Sequence, residues 1–172
     1  MKQIVQGQHV HAYPGRVAVV SSQHSGVRNV MAAGYHSYIG SSPECYGISI
    51  RKETFSYGLI DKSGAFAVNF LPAMQAHLIH AAGTTSGKDV DKFKEFSIGF
   101  ESGIALDVPI LTDSYLSYEC KVIDSNEYGD HIWVVGEIQT VYKDITLFNL
   151  DGSVDLEKLS TPLYIGRSIY RT

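Results

Sequence analysis

The sequence predicts a mainly β protein with short helices, folded as a closed or nearly closed antiparallel barrel. Three observations carry this reading. Apolar, β-branched runs of strand length recur throughout and are bounded by Gly, Pro, Asn, Asp and Ser. The helix signals are short and fall between strands without regular βαβ alternation, which disfavours a doubly wound parallel sheet. Two long alternating runs, 115–123 and 132–142, flank a segment of turn-forming residues and read as a hairpin. At 172 residues and 44% hydrophobic, the chain is sized for one substantial core, read as a single domain over residues 1–172.

Taken in order, Tyr13-Pro14-Gly15 is a turn and 16–21 a buried strand. Residues 23–26 form a hairpin loop, and a strand runs over 29–39 with Ala32, Ala33 and Gly34 unusually small in its middle. Residues 40–43 break it before a third strand at 46–50. Thr54 is a helix N-cap ahead of 55–60, with Gly64 as the stop. A strand over 65–71 is closed by Pro72. Residues 73–82 form a helix with Met74, Leu78 and Ile79 on one buried face, ended by Gly83. A polar loop, 84–88, leads to a short helix opening at Asp89. Residues 101–112 read as irregular, 124–130 as the loop of the best hairpin, and 144–159 as a surface excursion with a turn at Asp151-Gly152. Residues 163–170 return as a last short strand.

A net charge of −4 excludes a general nucleic-acid or membrane-surface protein. Cys45 and Cys120 have neither disulfide-framework nor zinc spacing. Residues 1–10 lack the apolar core of a signal peptide and no apolar run could span a bilayer, so a cytoplasmic protein is expected. No Rossmann glycine motif follows a strand, and Ser86-Gly87-Lys88 lacks the upstream glycine and following hydroxyl of a P-loop. His77 and His80 share a helix face at i,i+3, but no third ligand accompanies them; no metal site is expected. His9, His11, His24 and His36 carry no metal-like spacing.

The richest stretch is 29–54. Ala32, Ala33 and Gly34 leave room for close approach to the backbone. Ser49 and Arg51 alternate along a strand toward Thr54, whose helix N-terminus favours an anion. Arg51 supplies a planar, permanently charged fork suited to phosphate. The pattern fits a flat, phosphorylated ligand; it equally fits a strand ending in a solvated basic pair before an ordinary capped helix.

Asn29-Val30-Met31-Ala32, Ser49-Ile50-Arg51-Lys52-Glu53-Thr54 and Gly64-Ala65-Phe66-Ala67-Val68-Asn69 resemble the flavin reductase-like family, especially its flavoredoxin branch. Asp91-Lys92-Phe93, Gly129-Asp130-His131 and Val135-Gly136-Glu137 continue the match in the same order. The resemblance implies an FMN-binding split β-barrel, commonly a homodimer, that exchanges electrons with NAD(P)H or a protein donor. It further implies that Asn29, Val30, Met31 and Ala32 border the isoalloxazine and ribityl chain. Ser49, Ile50, Arg51 and Thr54 would line the ribityl-phosphate end, with Lys92 as a second phosphate cation. His131 would lie near the reacting face. Many relatives carry Ser-Trp where this chain has Gly34-Tyr35.

Overall fold

The structure, a computed structural model, describes Ile4 and residues 13–166 and 169–172. The remaining N-terminal residues, with His9 and His11, lie outside the described residues. Eleven strands and three α-helices are described: β1 Ala18–His24, β2 Val27–Ala33, β3 His36–Ser41, β4 Glu44–Ile50, α1 Phe55–Ser63, β5 Ala65–Phe70, α2 Ala76–Thr84, α3 Lys92–Glu95, β6 Phe100–Ser102, β7 Pro109–Leu111, β8 Leu116–Tyr128, β9 His131–Lys143, β10 Leu163–Gly166 and β11 Ile169–Arg171.

Seven strands form one antiparallel sheet in the order β2-β1-β5-β8-β9-β4-β3. Its two edge strands, β2 and β3, are consecutive in the chain and are separated only by Gly34 and Tyr35. Two residues cannot cross a flat seven-stranded sheet, whose strands lie about 4.8 Å apart. The sheet therefore curls until its edges meet, and the Ser49 N–H donates to the Tyr35 carbonyl at 2.8 Å beside the seam. The single strand predicted over 29–39 is thus two strands with a corner at Gly34-Tyr35. Alternation alone does not reveal a change of partner.

Val20, Ile48, Ile50, Phe66, Val68 and Val134 fill the barrel, and α1 sends Tyr57 and Ile60 into the same core. On the other face of β1 and β2, Val19 and Val30 pack under Leu78 and Ile79 of α2 and Phe93 of α3. The predicted α1 holds in detail: Thr54 Oγ1 accepts from the Tyr57 N–H, and Gly64 closes the helix in the left-handed region.

Other elements differ from expectation. Met74 is exposed, in a one-turn 3-10 segment before α2, whereas Leu78 and Ile79 are buried as read. Gly83 does not stop α2, which continues to Thr84. Its role is steric, since a Cβ there would sit 3.0 Å from the Ala32 Cβ. The short helix is capped by Asp91 rather than opened at Asp89. Within 101–112, β6 and β7 pair as a hairpin.

Most of the predicted loop 124–130 is strand. β8 runs through Tyr128 and pairs with β9 across a turn at Gly129-Asp130. These residues are polar because that end of the ribbon projects into solvent, where strand pairing tolerates polar side chains. Residues 144–159 do not simply skirt the surface, since Leu147, Phe148, Val154 and Leu159 pack against the barrel core. The final strand is two, β10 and β11, paired through Tyr164 and Tyr170.

Candidate functional site

A groove runs along the free edge of β2, between the barrel seam, the start of α1 and α2. Its first lobe, about 530 Å³, is bordered by Met31–Tyr35, Ser49–Arg51, Thr54, His80, Gly83, Thr84, His131, Tyr164 and Tyr170, with Val17 at its base. A second lobe of about 380 Å³ shares Met31, Ala32, Thr54, Gly83 and Thr84 with it and extends past Asn29 and Ser56 to Lys88 and Lys92.

The strand register settles which backbone groups of β2 meet the groove. His24 and Val27 flank a two-residue turn and form a hydrogen-bonded pair, so Asn29, Met31 and Ala33 bond inward to β1. Val30 and Ala32 therefore direct their N–H and C=O groups off the free edge. Consistent with this, the Val30 carbonyl accepts from Lys92 Nζ at 2.8 Å. Of the small-residue segment, Ala32 is the residue that offers a strand N–H to the groove.

The second lobe suits an anion. Lys92 is buried, and its ammonium donates to the carbonyls of Val30 and Ala82 at 2.8 and 2.7 Å, leaving a third N–H. Burial lowers its pKa to about 8. Lys88 Nζ donates to the Glu53 carbonyl at 2.9 Å and borders the same lobe. The first N–H groups of α1, on Phe55 and Ser56, have no intrahelical acceptor by helix geometry and open onto this space. Asn29 is buried and donates to Ser56 Oγ at 2.8 Å. Gly87 rests on Asn29 so closely that a Cβ would lie 2.4 Å from the Asn29 Oδ1. The 85–88 loop carrying Lys88 is seated by that contact.

The first lobe is more aromatic. Tyr164 and Tyr170 pair across the terminal ribbon with centroids 5.2 Å apart. Tyr35 and His131 meet edge to face at 5.8 Å. Asp130 links two of the lobe's basic residues: its Oδ1 lies 2.6 Å from His131 Nδ1 and its Oδ2 3.0 Å from Arg51 Nη2. The hydrogen bond from His131, with the nearby His131 and Arg51 charges, holds the Asp130 carboxyl below its ordinary pKa.

The sequence-predicted residues thus converge with some redistribution. Met31, Ala32 and Thr54 border both lobes, Asn29 and Lys92 the second, and Ser49, Ile50, Arg51 and His131 the first. Val30 borders neither, because its side chain lies in the core beneath α2; its carbonyl instead anchors Lys92. Arg51 is beside Asp130 and not in the lobe of Lys92. Sequence reasoning missed Lys88, which sits in the rejected P-loop-like motif, and His80, Tyr164 and Tyr170, which only the packing of α2 and the terminal ribbon brings to the groove. Among the described residues, no group of three or more His, Cys, Asp or Glu is placed to hold a metal. No described helix is long and apolar enough to cross a membrane.

A curled seven-stranded sheet with a two-lobed groove at its seam defines the split-barrel class. Residues 10–166 match the family described as flavin reductase like domain, and the chain belongs to that family. It is similar to an FMN-binding protein from Thermus thermophilus, solved with bound 1-cyclohex-2-enone. That likeness has 30% identity and a TM-score of 0.87, covering 99% of this chain and 93% of that one. Likeness to the flavoredoxin of Desulfovibrio vulgaris (Miyazaki F) has 26% identity and a TM-score of 0.89, covering 99% and 92%. An uncharacterized protein of Pyrococcus abyssi is 29% identical over 126 residues, 73% of this chain and 72% of that protein.

Proposed function

We propose that the groove binds FMN, with the isoalloxazine in the first lobe and the phosphate in the second, and that the protein is an FMN-dependent oxidoreductase of the flavin reductase type. The observation that carries this reading is the continuity of the two lobes along the free edge of β2. One lobe is broad and aromatic-walled, and the other collects the Lys92 ammonium, Lys88 and the α1 N-terminus. A phosphate monoester bears about −1.5 to −2 charges near neutral pH, which matches that donor set. When bound, FMN supplies the redox chemistry, accepting a hydride and delivering electrons onward.

The chain's own residues bind, orient and screen. The Ala32 N–H, directed off the free edge of β2, would donate to the polar edge of the flavin ring and favour negative charge there without an acid–base residue. Thr54, Lys88 and Lys92 fix the opposite end. Arg51 and His131 face the open side, where NAD(P)H approaches as hydride donor. Free flavin, a ferric complex or a partner protein then takes the electrons.

The likeness to a flavoredoxin favours a second reading, an FMN electron carrier reduced by another protein with little NAD(P)H turnover of its own. A third is an FMN-binding protein without turnover. Pairing with a second copy is part of the proposal, supported by the large apolar side chains exposed at Met74, Ile145, Leu150 and Leu156; sedimentation measures it.

Anaerobic titration of the FMN-loaded protein with NADH and NADPH separates the readings. Bleaching of bound flavin by either nucleotide is the expected result. Bleaching by a reduced ferredoxin-like donor alone would establish the carrier, and a protein that takes up no FMN would overturn all three.

A further inference from the structure

We infer that Asp130 is a positioning residue: through one carboxylate it orients His131 and Arg51 together and commits His131 to a single tautomer, presenting Nε2 to the first lobe. The geometry is that of a bridge between two elements. Asp130 stands in the turn of the β8–β9 ribbon, and its two oxygens divide between His131 Nδ1 at 2.6 Å and Arg51 Nη2, just past the end of β4, at 3.0 Å. A second ion pair, Lys52 with Glu127, joins the same ribbon to the same corner.

An ionised carboxylate only accepts hydrogen bonds, so the short contact to Nδ1 requires the proton to be on Nδ1. A neutral imidazole then carries its lone pair on Nε2, the nitrogen left for the lobe that His131 borders. An unrestrained neutral imidazole favours the proton on Nε2, so Asp130 reverses the default. The edge contact with Tyr35 limits rotation of the ring.

The consequence deepens the proposed function and rests on it. An Nε2 lone pair at the open side of a flavin groove recognises a second reactant that presents an N–H, as the carboxamide of a nicotinamide does. Arg51, held alongside, offers a positive charge to an anionic portion of the same molecule. Asp130 itself touches neither flavin nor reactant in this arrangement; it acts through His131 and Arg51.

The test begins with the ligand-free protein, labelled with 15N-histidine and held at a pH where the imidazole is neutral. Long-range 1H–15N correlation is expected to show His131 protonated on Nδ1 in the native protein. In Asp130→Ala the proton is expected on Nε2. Asp130→Asn, which keeps an oxygen near Nδ1, is expected to retain much of the native tautomer. The side chain is exposed in a turn, so these variants leave the core intact. A native His131 already protonated on Nε2, or a tautomer unchanged in Asp130→Ala, would overturn the inference.

In the FMN-loaded protein, Asp130→Ala is expected to raise KM for NADH by roughly tenfold while the Kd for FMN changes less than about twofold. Equal losses in both would overturn the inference. The tautomer measurement needs no flavin, so failure of the native protein to bind FMN would remove the groove reading and leave the positioning result to stand or fall by itself.

Discussion

Lys92 shows at the scale of one residue how the second lobe is charged. Its ammonium is buried against two carbonyls with no carboxylate partner among the described residues, so desolvation dominates and the folded pKa falls to about 8. The unfolded chain holds that proton up to the ordinary lysine value. Between about pH 8 and that value the unfolded state therefore binds more protons, and the stability of the ligand-free protein rises with pH across this window. With the phosphate end at Lys92 as proposed, FMN affinity has the opposite sign, because a phosphate favours the protonated amine. Affinity is expected to be highest below about pH 8 and to fall at least about tenfold by roughly pH 9.5. Lys92→Met is expected to weaken FMN binding by about 1.5–3 kcal/mol near neutral pH and to flatten that pH dependence. Flavin fluorescence quenching checks both; a native-like pH profile in the variant would remove Lys92 from the phosphate end.

At the scale of the element, α1 joins folding to binding. Thr54 accepts from the Tyr57 N–H at 3.2 Å and donates to the Arg51 carbonyl at 2.8 Å, fixing both the helix start and the turn from β4. Thr54→Ala is expected to cost about 1 kcal/mol of stability, a fall in Tm of about 2–4 °C, and to weaken FMN binding as well. Thr54→Ser is expected to restore both in thermal melts and flavin titration. This element was legible because a cap, a short apolar pattern and a left-handed glycine are local signals. The β8–β9 ribbon was half legible. Its alternation marked the strands, but residues 124–128 look like a loop by composition and are strand by pairing. The β6–β7 hairpin left no local pattern, since each strand is three residues long.

At the scale of the molecule, the barrel is held by a few long-range polar contacts as well as by its core. Glu119 on β8 is buried and accepts from the N–H groups of Ile104, Ala105 and Leu106 and from the Tyr142 hydroxyl. It thereby fastens the β6–β7 connection to the outside of the sheet. Asn69 on β5 does similar work, accepting from the Leu111 N–H and from Ser117 Oγ and donating to the Val19 carbonyl. Glu119→Ala removes the shared acceptor of four part-buried donors and is expected to lose about 1–3 kcal/mol. Urea unfolding measures the loss, and a change below about 1 kcal/mol would show that water replaces the carboxylate without penalty.

The sequence by itself determined the mainly β class, the capped helix after β4, the burial of Leu78 and Ile79, and the family motifs, several of whose residues border the groove. Each of these is written in periodicity, in capping chemistry or in short ordered motifs, which act over a few residues. Tertiary structure decided the corner at Gly34-Tyr35 and the meeting of the two sheet edges. It also decided the division of the groove into two lobes, the placing of Arg51 with Asp130 and His131, and the arrival of Lys88, His80, Tyr164 and Tyr170. Barrel closure is a property of strand order, and strand order depends on pairings between residues far apart in the chain. A side chain's lobe follows from that closure, so spacing alone could name the basic residues without showing which of them would stand together.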